Sequence, residues 1–208
     1  MNLSGSVIAI GSPRNDGSGS NSGQVRVFEF NAGSSSWERK GLPIGGENAH
    51  DQLGHSISLD SIGSTIAIGA PYNDGNGNAS GHVRVYDWDE SIWVQRRADI
   101  DGKSSGDWSG YSVSLNDAGT VLAIGLPHDA YYGIVLGKAR VLEWSNEEDT
   151  WISRGDTMIH FIEEEYAKFG WSISLDSSGD TVAVGAPDAG DNQGADCLHL
   201  RLEWNGMD

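Results

Sequence analysis

A single cysteine, Cys197, serves all 208 residues, so no intrachain disulfide framework can hold the chain. Basic residues are also few: 13 Lys and Arg face 30 Asp and Glu, for a net charge of −17. That balance argues against nucleic acid and anionic membranes as partners, and it suits cationic ligands or a solvated acidic surface. No apolar run approaches the ~18 residues of a membrane-spanning helix, so no membrane span is expected. Convincing helical periodicity is missing throughout. The nearest stretch, residues 159–168 with Glu163, Glu164 and Glu165, is expected to form at most a helical turn. Met1 leads straight into a strand pattern, which leaves no signal peptide to expect in this chain. The six histidines are scattered, and there is no Ser/His/Asp spacing, no His-x-x-x-His pair and no Gly-rich phosphate loop, so catalysis finds little support.

What is present is repetition. Proline is scarce, yet Pro13, Pro71, Pro127 and Pro187 each close a Gly-x-Pro reached through a short aliphatic run, at steps of 58, 56 and 60 residues. Self-similarity at a fixed period means one supersecondary unit copied several times. The unit that starts at Gly54 is the most complete. Ile57 and Leu59 alternate with Ser56 and Ser58, the period of a half-buried strand. A turn at Asp60 to Gly63 leads to Thr65–Ile68, apolar on both faces, which suits a strand packed from both directions. Residues 81–88 and 92–95 supply a third and fourth strand. The fourth is marked by Trp93, as by Trp37 and Trp151 in other units. Four antiparallel strands in about 57 residues, repeated, fit the blades of a β-propeller, in which each sheet hides both faces against its neighbours.

The runs Val83-Arg84-Val85-Tyr86, Trp93-Val94-Gln95, Gly110-Tyr111-Ser112-Val113 and Ala123-Ile124-Gly125-Leu126-Pro127 together resemble the FG-GAP repeat family. The name-giving motifs stand as Phe169-Gly170, Leu53-Gly54 and Ser109-Gly110, and as Gly69-Ala70-Pro71 and Gly185-Ala186-Pro187. The resemblance implies an integrin-α-like propeller of secreted or surface proteins, with an extracellular or cell-surface setting and an adhesion role. Related repeats bind calcium through Asp-x-Asp-x-Asp-Gly between the first two strands. The matching turns here, Asp60–Ser64, Asn116–Thr120 and Asp176–Asp180, offer only one or two carboxylates each, against the six to eight oxygens calcium takes. No metal site and no cofactor are therefore expected.

The array reads as one domain over 1–208, with units at about 1–53, 54–109, 110–169 and 170–208. The first unit begins in its second strand. The last departs from the pattern after Gly194, where residues 195–200 replace the Val-Arg-Val of other units, and no fourth strand is expected after Trp204. The expected fold is thus all-β, an incomplete arc of about four propeller blades. Missing strands could come from further blades of a longer chain or from a partner copy. Arg26, Arg84 and Arg140 recur inside apolar strands and are expected to form inter-blade ion pairs with Asp or Glu of the next unit.

In an up-and-down sheet the second-to-third loops and the inter-blade connections share one rim, and here they are long and acidic. Rigid scaffolds with variable loops on one face commonly bind there. The candidate patch is Tyr72, Asp74, Asp107, His128, Asp129, Tyr131 and Tyr132. For Asp74 the favoured reading is an Asx-turn that closes its own loop, and the Tyr131-Tyr132 pair also fits packing on a neighbouring blade. His55 occupies the slot held by Tyr111 and Trp171, where packing explains it better than catalysis. The functional expectation is a non-catalytic binding or adhesion module for a protein or glycan. Two alternatives stand beside it: a carbohydrate-active propeller enzyme, or a truncated fragment without independent function.

Overall fold

Each aliphatic run before a Gly-x-Pro becomes a strand of a separate antiparallel sheet, at the edge in the first and inside in the other three. The computed structural model describes residues 1–128, 130–131, 134–159, 167–189 and 196–201. The first sheet holds β1 (Val7–Ser12), β2 (Gln24–Asn31), β3 (Ser36–Arg39) and the short β4 (Ile44–Gly45). The second holds β5 (Ser56–Leu59), β6 (Thr65–Ala70), β7 (His82–Asp89), β8 (Ile92–Gln95) and β9 (Ile100–Asp101). In the third unit β10 (Ser112–Leu115) and β11 (Val121–Leu126) are followed by a small hairpin, β12 (Ala130–Tyr131) and β13 (Ile134–Val135). The sheet then resumes with β14 (Lys138–Ser145), β15 (Thr150–Ser153) and β16 (Met158–Ile159). The fourth holds β17 (Ser172–Leu175), β18 (Thr181–Ala186) and β19 (Asp196–Arg201).

Within the sheets the order is meander-like, β5-β6-β7-β8 and β10-β11-β14-β15, with the same register in every copy: Ser56 faces Gly69, Ser112 faces Gly125 and Ser172 faces Gly185. These are propeller blades, and they stand side by side as an open arc. Three cores lie between them rather than inside any one. Val7, Val25 and Val27 of blade 1 pack on Ile66, Ile68 and Tyr86 of blade 2. Ala67, Val83 and Val85 then meet Leu122, Ile124 and Leu142, while Val121, Ala123 and Val141 meet Val182 and Val184.

Close approach is what the repeated glycines permit. A Cβ at Gly69 would lie 2.0 Å from the carbonyl oxygen of Gly110, and one at Gly125 would lie 2.0 Å from that of Gly170. The inner-strand serines are the adhesive. Ser56 Oγ donates to Gly110 O at 2.7 Å and Ser112 Oγ to Gly170 O at 2.8 Å, while Ser58 Oγ and Ser114 Oγ accept from the amides of Leu115 and Leu175. The polar half of the alternating strand therefore faces the next blade's backbone instead of water.

Several details depart from the sequence reading. The two-residue strands β4, β9 and β16 pair beside the third strand of their blades, and no pattern announces them. Residues 196–201 form a regular third strand opposite β18 despite their divergent sequence, because the register is fixed by β18. Residue 159 lies in β16, while residues 160–166 and 202–208 are outside the described residues. The arginines pair backwards rather than forwards: Arg84 holds Asp99 of its own blade and Glu47 of the preceding connection, and Arg140 Nη1 reaches Asp101 O at 3.3 Å. Arg26 donates from Nε to Gln24 Oε1 of its own strand at 2.8 Å.

Candidate functional site

Three positions per unit compose one rim. Two residues before each inner-strand glycine stand Gln52, Trp108 and Lys168, all left-handed, with φ of 56, 55 and 54°. Their carbonyls accept from the amides of His55, Tyr111 and Trp171 at 3.1 Å, closing a turn that sets first and fourth side chains next to each other. The third position follows the Gly-x-Pro and holds Tyr72, His128 and Asp188.

At blades 2 to 4 these positions fill with rings. Trp108 stacks on His128 at 4.2 Å between centroids and 16° between planes, and lies 6.0 Å from Tyr111 at 17°. Tyr72 meets Trp108 edge-on at 5.4 Å. Along the inner strands His55, Tyr111 and Trp171 succeed one another at 4.6 and 4.5 Å. The far end is capped by a cation: Lys168 Nζ sits 5.2 Å over the Trp171 ring and 2.6 Å from Asp188 Oδ2. A ribbon of aromatic faces thus crosses three blades, half-buried along most of its length and 38 % exposed at Trp171. Burial lowers the pKa of His55 below the ordinary histidine value. Burial likewise raises that of Tyr111, with the Tyr72 phenol adding to the effect.

Of the sequence-derived candidates, Tyr72 and His128 belong to this ribbon. His128 is oriented by a bond of 3.2 Å between Nδ1 and Gly106 O. Asp74 is exposed and its Oδ1 accepts from Ala79 N at 2.8 Å, the Asx closure of its own loop. Asp107 is buried directly before Trp108, where Oδ2 accepts from Lys103 N and Ser104 N and fixes the connection that presents the indole. Tyr131 lies in β12, and Asp129 and Tyr132 fall outside the described residues. Trp108, Tyr111, His55 and Trp171 were not among the candidates. Aligning the units on their inner glycines puts His55, Tyr111 and Trp171 in one slot, which the sequence alone reads as packing, and the unused signal is Trp108 two residues before Gly110.

A second polar cluster lies at the junction of blades 1 and 2. Glu47, His82 and Asp99 present ligand atoms within 4.8 Å of one another. The space among them is taken by Arg84, whose Nε and Nη2 donate to Asp99 at 2.9 Å each and which also pairs with Glu47. Burial opposes the charge on Arg84, but the bonds to Asp99 and Glu47 outweigh it and raise its pKa. His82 is buried, 3.3 Å from Asp99, and burial together with the Arg84 charge lowers its pKa. The cluster is a filled ion pair rather than a metal centre, because a guanidinium already supplies the positive charge.

Calcium, which the resemblance raised, does not fit the first-to-second-strand turns. Asp60 Oδ1 accepts from Ser64 N and Thr65 N, and Asp60 Oδ2 accepts from Ser64 Oγ. Asn116 Oδ1 accepts from Thr120 N and Val121 N, and Asp176 Oδ1 from Gly179 N and Thr181 N. These side chains are spent on the turn backbone.

Comparison with known proteins agrees with this geometry. The FG-GAP repeat family matches residues 45–86, the stretch from β4 to the middle of β7. Blade 2 carries an FG-GAP repeat. FG-GAP repeats are typically extracellular. No curated protein sequence matches the chain. Among solved structures, the β-propeller domain of Cps50 (Swd1) from Myceliophteria thermophila superposes with a TM-score of 0.50 at 14 % identity, over 90 % of this chain and 47 % of that one. The tricorn protease gives a TM-score of 0.46 at 12 % identity, over 89 % of this chain and 15 % of that one. This chain therefore spans less than half the length of either. The first likeness is one of fold: blades arranged as in a β-propeller.

Proposed function

We propose that the chain is a non-catalytic binding module of an extracellular or cell-surface protein, and that the aromatic ribbon is where a protein or glycan partner lands. The observation that carries the reading is the ribbon itself. Six rings from sequence positions as far apart as His55 and Trp171 converge on one rim. Tyrosine and tryptophan are the side chains that most often dominate binding energy, since they bring large area at small entropy cost. A non-catalytic role is supported by how the neighbouring carboxylates are used. Asp51 Oδ2 accepts from Asn48 N and from Asn73 Nδ2, and Asp74 and Asp107 hold loop amides, so these acids shape the rim.

The test is a screen of immobilised glycans and cell-surface proteins, repeated with Trp108→Gln. Glutamine is the natural choice because Gln52 holds the same left-handed backbone in the preceding unit. Loss of a ring of this kind should cost about 2 kcal/mol of binding, roughly 30-fold in Kd, for any partner found. A partner that binds native and variant chains equally would refute the site. A glycan released as a shortened product, detected by a reducing-sugar assay, would refute the non-catalytic role.

A further inference from the structure

We propose that the outward face of blade 1 docks the forward face of blade 4 of a second copy, head to tail, through the contact that already joins successive blades within the chain.

Every internal junction has the same composition. The row that points back from one blade buries on the row that points forward from the blade before it. Ile66 and Ile68 of blade 2, Leu122 and Ile124 of blade 3, and Val182 and Val184 of blade 4 all lie in such rows and are fully covered. The matching residues of blade 1 are Ile8 and Ile10, by the shared register with β2, β7 and β14. Ile10 is 48 % exposed, where Ile68, Ile124 and Val184 are at 0 %.

Farther out, the first two junctions each seat a cation on an aromatic pair. Lys40 Nζ of blade 1 lies 5.2 Å over Trp88, beside Trp93, whose Nε1 donates to Lys40 O at 2.9 Å. Arg96 of blade 2 lies 5.2 and 5.7 Å over Trp144 and Trp151. Blade 1 has the same pair in the same geometry, Phe30 and Trp37 at 5.5 Å and 65°, but they are 42 and 45 % exposed with no cation over them among the described residues. This face repeats the composition of the buried ones and is exposed in this chain.

Blade 4 offers the reciprocal face. Gly11, Gly69 and Gly125 each sit against the carbonyl of the next blade's inner glycine, whereas Gly185 at the same position meets, among the described residues, only Ser172 of its own blade. Ala67 and Ala123 are fully covered by the following blade, while their counterparts Ala9, beside blade 2, and Ala183 are half-buried. Turn residues also form a ladder across the arc: Leu3 N donates to Ser61 O, Ser61 N to Asp117 O, and Asp117 N to Ser177 O. That ladder ends in an acceptor, the Leu3 carbonyl, on blade 1 and in a donor, the Ser177 amide, on blade 4. The two ends are complementary to each other and neither is complementary to itself, which calls for a heterologous contact. A second copy is the occupant that brings the matching face by construction. With −17 on each copy, the contact should tighten as salt is added.

Sedimentation equilibrium of the 208-residue chain, from about 1 to 100 μM and at low and high salt, tests this. Two variants make the test specific: Ile10→Glu on the blade 1 face and Ala183→Glu on the blade 4 face, each on a partly exposed side chain and each checked for a native far-UV spectrum. The native chain should self-associate, more strongly in salt. Each variant alone should lose at least tenfold in association, and an equimolar mixture of the two should form a dimer that grows no further. A native chain monomeric throughout would overturn the proposal and leave the face to some other partner. It would also be overturned by a variant that associates like the native chain, or by a mixture that stays monomeric.

Discussion

Replacing Gly69 by alanine should be far more costly than the same change at Gly185, although the two glycines occupy one position of the repeat. At Gly69 the added Cβ would stand 2.0 Å from Gly110 O and 2.3 Å from Ser56 Oγ; at Gly185 it would meet Ser172 Oγ at 2.4 Å and no carbonyl from a following blade. The serine is common to both sites and can rotate, so the difference isolates the approach of one blade to the next. A Cβ closer than 3.0 Å to backbone forces movement, and here blades 2 and 3 must part by about 1 Å. Overpacking of this kind costs about 1–3 kcal/mol, and parting the blades also strains the bond from Ser56 Oγ to Gly110 O. Losing that bond adds about 1 kcal/mol. Gly69→Ala should thus lose about 2–4 kcal/mol and Gly185→Ala less than about 1, with Gly125→Ala behaving like Gly69→Ala. At roughly 2–4 °C per kcal/mol for a chain of this length, the two classes should differ in Tm by about 5–10 °C. Urea and thermal unfolding followed by tryptophan fluorescence would measure it. Equal losses at Gly69 and Gly185 would refute the reasoning, because the stacking of blades would then not be what the glycine serves.

Other predictions follow from the same interfaces. Ser112→Ala should cost about 1 kcal/mol in urea unfolding, by leaving Gly170 O without its 2.8 Å donor. Arg96→Ala should cost about 2 kcal/mol, since it removes bonds to Asp87 and Gly119 O and the guanidinium from the Trp144 face; Arg96→Lys should recover part of this. Burial holds the pKa of His82 in the folded chain below that of an unfolded histidine, about 6.5. The histidine leaves stability unchanged above that value. As pH falls below it, the unfolded chain takes up a proton that the folded chain resists, so stability is lost down to the folded pKa, by at most about 1.4 kcal/mol per pH unit. The difference between native and His82→Gln unfolding midpoints from pH 7.5 to 5.5 should show that slope, and a flat difference would contradict it.

How much of this could be read in the sequence depends on whether a contact lies within a unit or between units. The period, the alternation of Ile57 and Leu59 with serines, and the Trp of each fourth strand are local patterns, and they gave the sheets and the propeller arrangement. The role of Ser56 and Ser112 was hidden, because period two marks them as polar without saying that a neighbouring backbone is the partner. The site was half legible. Tyr72 and His128 stood out as loop residues, but Trp108 and Tyr111 reach them only across a blade boundary, through a left-handed turn that no propensity predicts for tryptophan. The ion pair of Arg84 was expected from burial alone, while its partner Glu47 sits in the preceding connection, where no spacing rule points. The β12–β13 hairpin likewise carries no turn signal strong enough to foretell it.

The most direct measurement is the set of indole N–H resonances of the eight tryptophans, recorded while the best ligand of the binding screen is added. Recognition at the rim predicts that Trp108 and Trp171 shift with saturation, while Trp88, Trp93, Trp144 and Trp151 at the outer strands hold still. Saturating shifts confined to the outer four, with Trp108 unmoved, would contradict it.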